Sequence, residues 1–206
     1  MKRHVAFALV LGTLAGVAAM QDDKVELLAQ NREKGVEIRA PKSPGKEQMW
    51  EAKAKADGVH AGSAVLVRHR SDTFTVEVNV TPKGGDFMSD DMEKSWPKPS
   101  EIAEKARRTF TEAPADKERT YTECKVVAED AKPKLSGLPG SGHSHRIVLT
   151  DKKGEKHELI EYFIISSDTL FRVTVNFTKE AYDKHWARDG QYILHNIRRC
   201  KIDNKK

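Results

Sequence analysis

The chain has 206 residues, of which 38% are hydrophobic and 33% are charged, and its formal net charge at pH 7 is +5. Its basic residues alternate with acidic ones, as in EAKAKAD and DKKGEK, rather than clustering, which argues against a nucleic-acid-binding surface. After the N-terminal segment no stretch is long or apolar enough to cross a membrane.

The N-terminal segment is typical of a secretory signal. Lys2 and Arg3 form a basic start, an apolar run extends from Val5 to about Ala15, and the residues VAA at 17–19 resemble a small-residue cleavage site. The apolar run is shorter than the roughly 20 residues of a transmembrane helix. We therefore predict a signal peptide at residues 1–19 and an exported protein, either periplasmic or extracellular.

The next part of the chain is predicted to contain a lead-in and then strands. Residues 20–34 are polar and are predicted to be a flexible lead-in to a single domain at 35–203. Period-two hydrophobic patterns predict strands, although the alanines and lysines of MWEAKAKA also allow a helix. The predicted strands are Gly35–Pro41, Met49–Ala56, Gly62–Arg70 and Phe74–Lys83, the last two forming a hairpin around Ser71-Asp72.

The middle and the end of the chain each carry a helical pattern. SEIAEKARRTF is predicted to be a helix with Ser100 as its N-cap. A strand at Arg119–Glu129 follows, and HRIVLTD, KHELIEYFIIS and LFRVTVNFT are predicted to be further strands. A long amphipathic helix from about Lys179 to Arg199 closes the chain.

One short pattern occurs twice. FTVEVNVT at 74–81 and FRVTVNFT at 171–178 share the pattern F-x-V-x-V-N-[VF]-T, and each is preceded by Ser-Asp-Thr. A duplicated hairpin-and-helix unit would explain the match. Independent selection of Val and Thr for a pleated strand also explains it, and we favour that interpretation because no full period is visible.

The stretch SGLPGSGHSHR, Ser136–Arg146, combines three glycines with two histidines. It lacks the Gly-Lys-Ser/Thr of a phosphate-binding loop and the G-x-S-x-G spacing of a nucleophile elbow. It also leads into a strand, whereas a dinucleotide fingerprint opens a helix. We therefore predict a flexible connector, with residues 132–142 mobile and dispensable for folding.

Two groups of residues are candidate metal ligands. His143 and His145 would point the same way on a strand, with His157 near them across a hairpin, and imidazole nitrogens suit zinc or copper. Solvent-exposed histidines are the simpler interpretation. The acidic group Asp86, Asp90, Asp91 and Glu93 lacks the register of an EF-hand.

The chain has two cysteines, Cys124 and Cys200. An even number in an exported protein permits a disulfide. Cys124 lies on the same strand face as Val126, and Cys200 ends the apolar stripe of the terminal helix, so both are expected to point inward. We predict a Cys124–Cys200 disulfide, with two buried free thiols as the alternative.

The order of elements resembles the PsbP-like and Mog1-like superfamily. The resemblance is carried by NREKGVEIRAP, GSAVLVRHRSDTFTVEVNV, HELIEYFIISSDTLFRVTVNF and KEAYDKHWARDGQYILHNI, which together extend from Asn31 to Ile197. It implies an α+β fold with a central antiparallel β-sheet flanked by helices and a long C-terminal amphipathic helix. It also implies an accessory or binding role more than catalysis.

The sequence alone therefore predicts a broad function. No serine, histidine and acidic residues occupy a recognisable triad context. We expect a non-enzymatic binding or accessory protein with a protein or small-ligand partner, without a cofactor, a nucleic-acid partner or a transmembrane span. The alternatives are a secreted hydrolase whose site is not located and a histidine-based metal-binding protein.

Overall fold

A computed structural model describes residues 25–41, 49–56, 63–82, 96–112 and 120–202. Within these ranges ten strands form two sheets, and all the pairs of neighbouring strands are antiparallel. The strands are β1 (Val25–Asn31), β2 (Val36–Pro41), β3 (Trp50–Ala56), β4 (Ser63–His69), β5 (Phe74–Pro82), β6 (Tyr121–Asp130), β7 (Ser141–Asp151), β8 (Lys156–Ser166), β9 (Thr169–Phe177) and β10 (Ile197–Arg199).

The larger sheet has the order β3-β4-β5-β9-β8-β7-β6, and the smaller sheet has the order β1-β2-β10. Helix α1 spans Pro99–Thr111. The C-terminal helix consists of α2 (Lys179–His185), a π-helical turn (Trp186–Gly190) and α3 (Gln191–His195). No helix in the described ranges has both the length and the apolar character needed to cross a bilayer.

The main core lies between one face of the large sheet and the small sheet with the C-terminal helix. Alternate residues of β5 and β9 point into this core, because successive strand side chains point to opposite faces. Ile38 of β2 and Ile193 of α3 pack against them and are fully buried. We call this side of the large sheet the core face.

The opposite face of the large sheet carries α1, and we call it the α1 face. Ile147, Leu149 and Leu159 form a second, smaller apolar cluster there, against which Phe110 of α1 packs. Helix α1 packs on β6, β7 and β8. The predicted antiparallel α+β architecture and the C-terminal helix are confirmed, but helices cover less of the sheet than predicted because the small sheet covers part of the core face.

Helix α1 begins two residues earlier than a Ser100 cap requires. Its N-cap is Lys98, and Pro99 occupies the first helical position, where a missing N–H costs nothing. The Glu101 side chain accepts a hydrogen bond from the Lys98 backbone N–H at 3.4 Å. The acidic residue in the first turn therefore caps the helix, and Ser100 lies inside it.

The predicted flexible lead-in is wrong for residues 25–31. These residues form β1, which pairs with β2 from Val25↔Pro41 to Asn31↔Val36. Leu28 and Ala29 pack against the main core, with a register shift between Leu27 and Ala29. A polar strand at a sheet edge is not predicted from hydrophobic alternation, because only one or two of its side chains face the core.

The connector prediction for residues 132–142 is also wrong. Leu135 and Leu138 are buried in the main core, and β7 already begins at Ser141. A Cβ atom on Gly137 would lie 2.0 Å from the Ile197 carbonyl oxygen. The glycines therefore allow close backbone packing. A high glycine content in the sequence is compatible both with close packing and with a flexible chain, so it does not distinguish between them.

The terminal helix ends before Arg199. It stops at His195, and β10 follows, pairing Ile197 with Ile38 and Arg199 with Val36. Pairing to β2 satisfies backbone groups that a helix end leaves open. The apolar pattern of the helix continues into this strand because Ile197 is buried in the same core.

The repeated strands β5 and β9 are neighbours in the large sheet. Their equivalent positions Glu77 and Thr174 are directly opposite one another, which is the register that a two-fold repeat requires. The helices that follow them, α1 and α2, nevertheless pack on opposite faces of the sheet. A simple duplication does not produce that arrangement, so we continue to favour independent selection of strand-forming residues.

The predicted disulfide is contradicted by the structure, in which neither Cys124 nor Cys200 is disulfide-bonded. Cys124 points to the α1 face, where it packs against the second apolar cluster. Cys200 lies beside the turn between β1 and β2, where its N–H donates to the Gly35 carbonyl oxygen at 2.9 Å. The large sheet separates the two thiols, because the small sheet packs on the core face.

We expect two thiols per chain to react with Ellman's reagent in denatured protein that has not been reduced. Burial raises the pKa of the Cys124 thiol, so that cysteine should react slowly in the native protein at neutral pH. Cys124→Ser should remove one reactive thiol. A zero count in unreduced, denatured wild-type protein would show that the cysteines are bonded to one another.

Candidate functional site

A row of polar side chains crosses the α1 face of the large sheet. The strand register places Glu77 opposite Thr174, Thr174 opposite Glu161, Glu161 opposite His145, and His145 opposite Glu129. Four of these side chains are buried, and Glu129 at the edge of the sheet is exposed. The pleat therefore concentrates polar groups on a face where most proteins place apolar ones.

Glu161 is the centre of this row and has no solvent-exposed surface. Its Oε1 accepts hydrogen bonds from Arg172 Nε at 2.9 Å and Arg172 Nη2 at 2.6 Å. Its Oε2 lies 2.9 Å from His145 Nε2. A buried carboxylate is tolerated when it is paired and hydrogen-bonded. The same contacts fix the orientation of the His145 ring.

A cleft of about 480 Å³ opens between α1 and strands β6 and β7. We call it the α1 cleft. Charged and polar groups dominate its lining, and the His145 ring forms part of its wall. The lining residues are Ser100, Ala103, Glu104, Arg107, Val126, Glu129, His143 and His145.

Arg107 connects the two sides of the α1 cleft. It pairs with Glu104 on its own helix, and its Nη1 lies 3.6 Å from Glu129 Oε1 on β6. His143 Nε2 lies 3.9 Å from the same Glu129 oxygen. Burial lowers the pKa of His143, more than the Glu129 carboxylate raises it, so the ring is neutral at pH 7.

Strand alternation predicted that His143 and His145 lie on the same face of their strand. They do so in the structure, and their ring centroids are 6.2 Å apart. Both are buried in a strand rather than exposed in a loop. His157 is not their neighbour, since it pairs with Leu149 further along the hairpin. Metal binding by His143 and His145 remains a prediction, with Glu129 and Glu161 as the adjacent carboxylates.

Two other groups in the described ranges have metal-ligating atoms within 4.8 Å of one another. One consists of Asp151, Glu155 and His157 in the exposed β7–β8 turn. The other consists of His69, Asp72 and His185, and we call it the histidine–aspartate cluster. No sequence spacing indicates this cluster, because His185 is more than 100 residues from the other two and only the fold brings them together.

The pKa values of two groups in the histidine–aspartate cluster, Asp72 and His69, are lowered. Hydrogen bonds from His185 and Lys184 hold the pKa of Asp72 at about 2. Burial, followed by the nearby His185, lowers the pKa of His69. At neutral pH the cluster therefore contains an ionised carboxylate next to a neutral imidazole ring.

A hydrolase would need a serine activated by a histidine. In the described part of the chain, Ser71 Oγ lies 3.3 Å from His69 Nδ1, and Ser136 Oγ lies 3.1 Å from His195 Nδ1. Within the same ranges, neither histidine has a carboxylate hydrogen-bonded to its other ring nitrogen, as a triad requires. The acidic group at Asp86, Asp90, Asp91 and Glu93 lies outside the described residues.

Comparisons with known proteins add the fold but no function. No family model matches the sequence, and no curated protein matches it. Among solved structures, the cyanobacterial PsbP (CyanoP) of Synechocystis sp. PCC 6803 is similar, with 10% sequence identity, 92% of this chain and 98% of that chain covered, and a TM-score of 0.55.

A second structure, that of the protein of unknown function PA94 from Pseudomonas aeruginosa, is 12% identical and covers 79% of this chain and 89% of that chain. Its TM-score is 0.36. The likeness to cyanobacterial PsbP extends over nearly the whole of both chains, and it confirms the resemblance predicted from the sequence. The chain therefore has a PsbP-like fold.

Proposed function

We propose that the protein is an exported, non-enzymatic binding protein that holds a small polar ligand in the α1 cleft. The observation that carries this proposal is the charged lining of the cleft around a fixed His145 ring. Glu161 holds this ring from behind through a 2.9 Å hydrogen bond and is itself held by Arg172, so this part of the lining is organised before a ligand arrives. Preorganisation of this kind reduces the entropic cost of binding.

The charges around the cleft favour a ligand with an amino group. Glu104 and Glu129 contribute two negative charges, Arg107 contributes one positive charge, and the histidines His143 and His145 provide hydrogen-bonding nitrogens. An ammonium group facing Glu129 and a carboxylate facing Arg107 would both find opposite charges. Amino acids and short polyamines are therefore the compounds that fit this lining best.

The proposal predicts selective thermal stabilisation. Amino acids and polyamines, tested singly against dicarboxylic acids of similar size, should include at least one compound that raises Tm. A ligand at 100 times its Kd adds about 2.7 kcal/mol to the stability of the folded state. For a domain of this size, that gain raises Tm by about 5–10 °C. Differential scanning fluorimetry measures the shift.

Matched variants of β6 locate the effect. Glu129→Gln removes the carboxylate that faces the cleft and should abolish the shift in Tm. Glu123→Gln changes the same side chain on the same strand, where Glu123 is exposed and contacts Thr150, and should leave the shift intact. An equal shift in both variants, or no shift with any amine, would reject the cleft as the ligand site.

Export is supported by the signal pattern at residues 1–19, which lie outside the described residues. We expect the native protein to begin near Met20 and to be recovered outside the cytoplasm. N-terminal sequencing of protein purified from its own source measures this directly. Retention of Met1 would contradict the export part of the proposal without affecting the ligand-binding part.

A further inference from the structure

The histidine–aspartate cluster lies on the other side of the molecule from the α1 cleft, and three elements build it. His69 ends β4, Asp72 lies in the β4–β5 turn, and His185 ends α2. The Thr178 N–H donates to the Thr73 carbonyl oxygen at 3.0 Å, which fixes the start of α2 against the turn. The hairpin and the helix therefore hold the three side chains together independently of the cleft.

The donor atoms of the cluster converge. Asp72 Oδ2 lies 2.5 Å from His185 Nε2 and 3.5 Å from His69 Nδ1, and each of the three residues offers one ligand atom within 4.8 Å of the others. Two ligands bound tetrahedrally to zinc at 2.0–2.1 Å are about 3.3 Å apart. Shifts of about 1 Å or less would therefore bring Asp72 and each histidine to coordinating distance from a shared ion.

The surroundings hold both rings in place. His69 is 7% exposed and His185 is 4% exposed. The Trp50 ring packs edge-on against both, with centroid distances of 5.0 Å to His69 and 6.1 Å to His185. Asp72 keeps a side-chain exposure of 25%, so solvent reaches the cluster from the carboxylate side.

The ring nitrogens are in the state that metal binding requires. The backbone N–H groups of Ser71 and Asp72 both donate to His69 Nδ1, at 3.4 Å and 3.2 Å, so this nitrogen is unprotonated, and an ion bound there would displace these two hydrogen bonds. His185 Nδ1 is buried without a hydrogen-bond partner, 4.0 Å from Asp189 Oδ2. A histidine that binds a metal through Nε2 commonly donates its other N–H to such a carboxylate.

We propose that His69, Asp72 and His185 form a binding site for one divalent transition-metal ion of the zinc type. Two imidazoles and one carboxylate are a ligand set that zinc uses, with a fourth position left to solvent. Binding at His185 Nε2 would shift the ring to its other tautomer, so that the proton now shared with Asp72 ends on Nδ1, and would move the Lys184 ammonium group from its contact with Asp72 at 2.9 Å. Asp189, which follows in the π-helical turn, would accept the Nδ1–H of His185.

Cobalt(II) is the probe for this site, because its absorption between 500 and 650 nm reports coordination number. Purified protein, stripped with a chelator, should bind one equivalent of Co²⁺, and Zn²⁺ should displace it. Asp72→Asn and His185→Gln should each weaken Co²⁺ binding at least tenfold. His143→Gln and His157→Gln, which alter the other two histidine groups, should leave it unchanged.

Three outcomes would overturn the proposal: no Co²⁺ binding by the wild-type protein, tight binding that persists in Asp72→Asn, or binding lost in His157→Gln or His143→Gln. Circular dichroism checks that each variant is folded. If His185→Gln does not fold, Asp72→Asn decides the question, because Asp72 lies in a solvent-accessible turn. These measurements do not depend on a ligand in the α1 cleft.

Discussion

Replacing Glu161 with alanine should lower the free energy of unfolding by about 3 kcal/mol. Glu161 is fully buried. One oxygen of its carboxylate is hydrogen-bonded to Arg172 and the other to His145. Removing it leaves the Arg172 charge without its partner in a region that water reaches poorly. The Arg172 side chain keeps 21% exposure, which places the expected loss at the lower end of the range for buried pairs.

The matched control is Glu158→Ala on the same strand. Glu158 also pairs with an arginine, Arg146, but both side chains are partly exposed. Its loss should therefore cost about 1 kcal/mol or less. Urea unfolding followed by circular dichroism measures both variants, and equal losses would show that the Glu161 network contributes no more than a surface ion pair.

Deleting Ser136–Gly142 should abolish cooperative unfolding. The deletion removes Leu138, which is 2% exposed in the main core, together with the first two residues of β7. Strand β7 is an interior strand of the large sheet, paired on one side with β6 and on the other with β8. A far-UV spectrum close to that of the wild type would show that this segment is dispensable.

A single substitution tests the same segment with less disruption. Leu138→Ala should cost about 3 kcal/mol, the usual loss for a buried leucine in a core that relaxes only in part. Val127→Ala is the matched control, since Val127 is 47% exposed on β6 and its truncation should change stability by about 0.5 kcal/mol or less. A Leu138→Ala loss as small as the control would place Leu138 outside the core.

Strand positions were predictable wherever hydrophobic residues alternate. The patterns around Val65 and Val76 predict β4 and β5 and the hairpin between them, because these strands have one face in the main core. Strand β1 was missed because its apolar residues do not alternate: Leu27 is 49% exposed, whereas the adjacent Leu28 and Ala29 both pack against the main core. Local pattern therefore predicts the strands that line the core better than it predicts strands at a sheet edge.

Long-range placement was not predictable from local pattern. Cys124 and Cys200 each belong to an apolar stripe, but the stripes face different sides of the large sheet. An apolar stripe indicates that a residue is buried, but it does not indicate whether the residue lies in the main core or in the second apolar cluster. The disulfide prediction failed for this reason. The end of the terminal helix was placed too late because the apolar pattern continues past His195 into the buried Ile197 of β10.

The candidate sites also combine features that local sequence pattern predicts with features that only the tertiary structure shows. Alternation on a strand correctly places His143 and His145 on one face. Their neighbours Arg107 and Glu129 come from α1 and β6, and the strand order that unites them is a property of the whole sheet. The histidine–aspartate cluster depends even more on tertiary structure, because a turn and a distant helix contribute its members.

Backbone NMR titration tests the central claim, that the α1 cleft holds a small amino-bearing ligand, most directly. The compound that raises Tm most is added to ¹⁵N-labelled protein, and amide shifts are mapped on the fold. We predict saturable shifts concentrated at Ala103, Val126 and His143, which line the cleft, and their loss in Glu129→Gln. Shifts centred elsewhere, or unchanged in Glu129→Gln, would contradict this account.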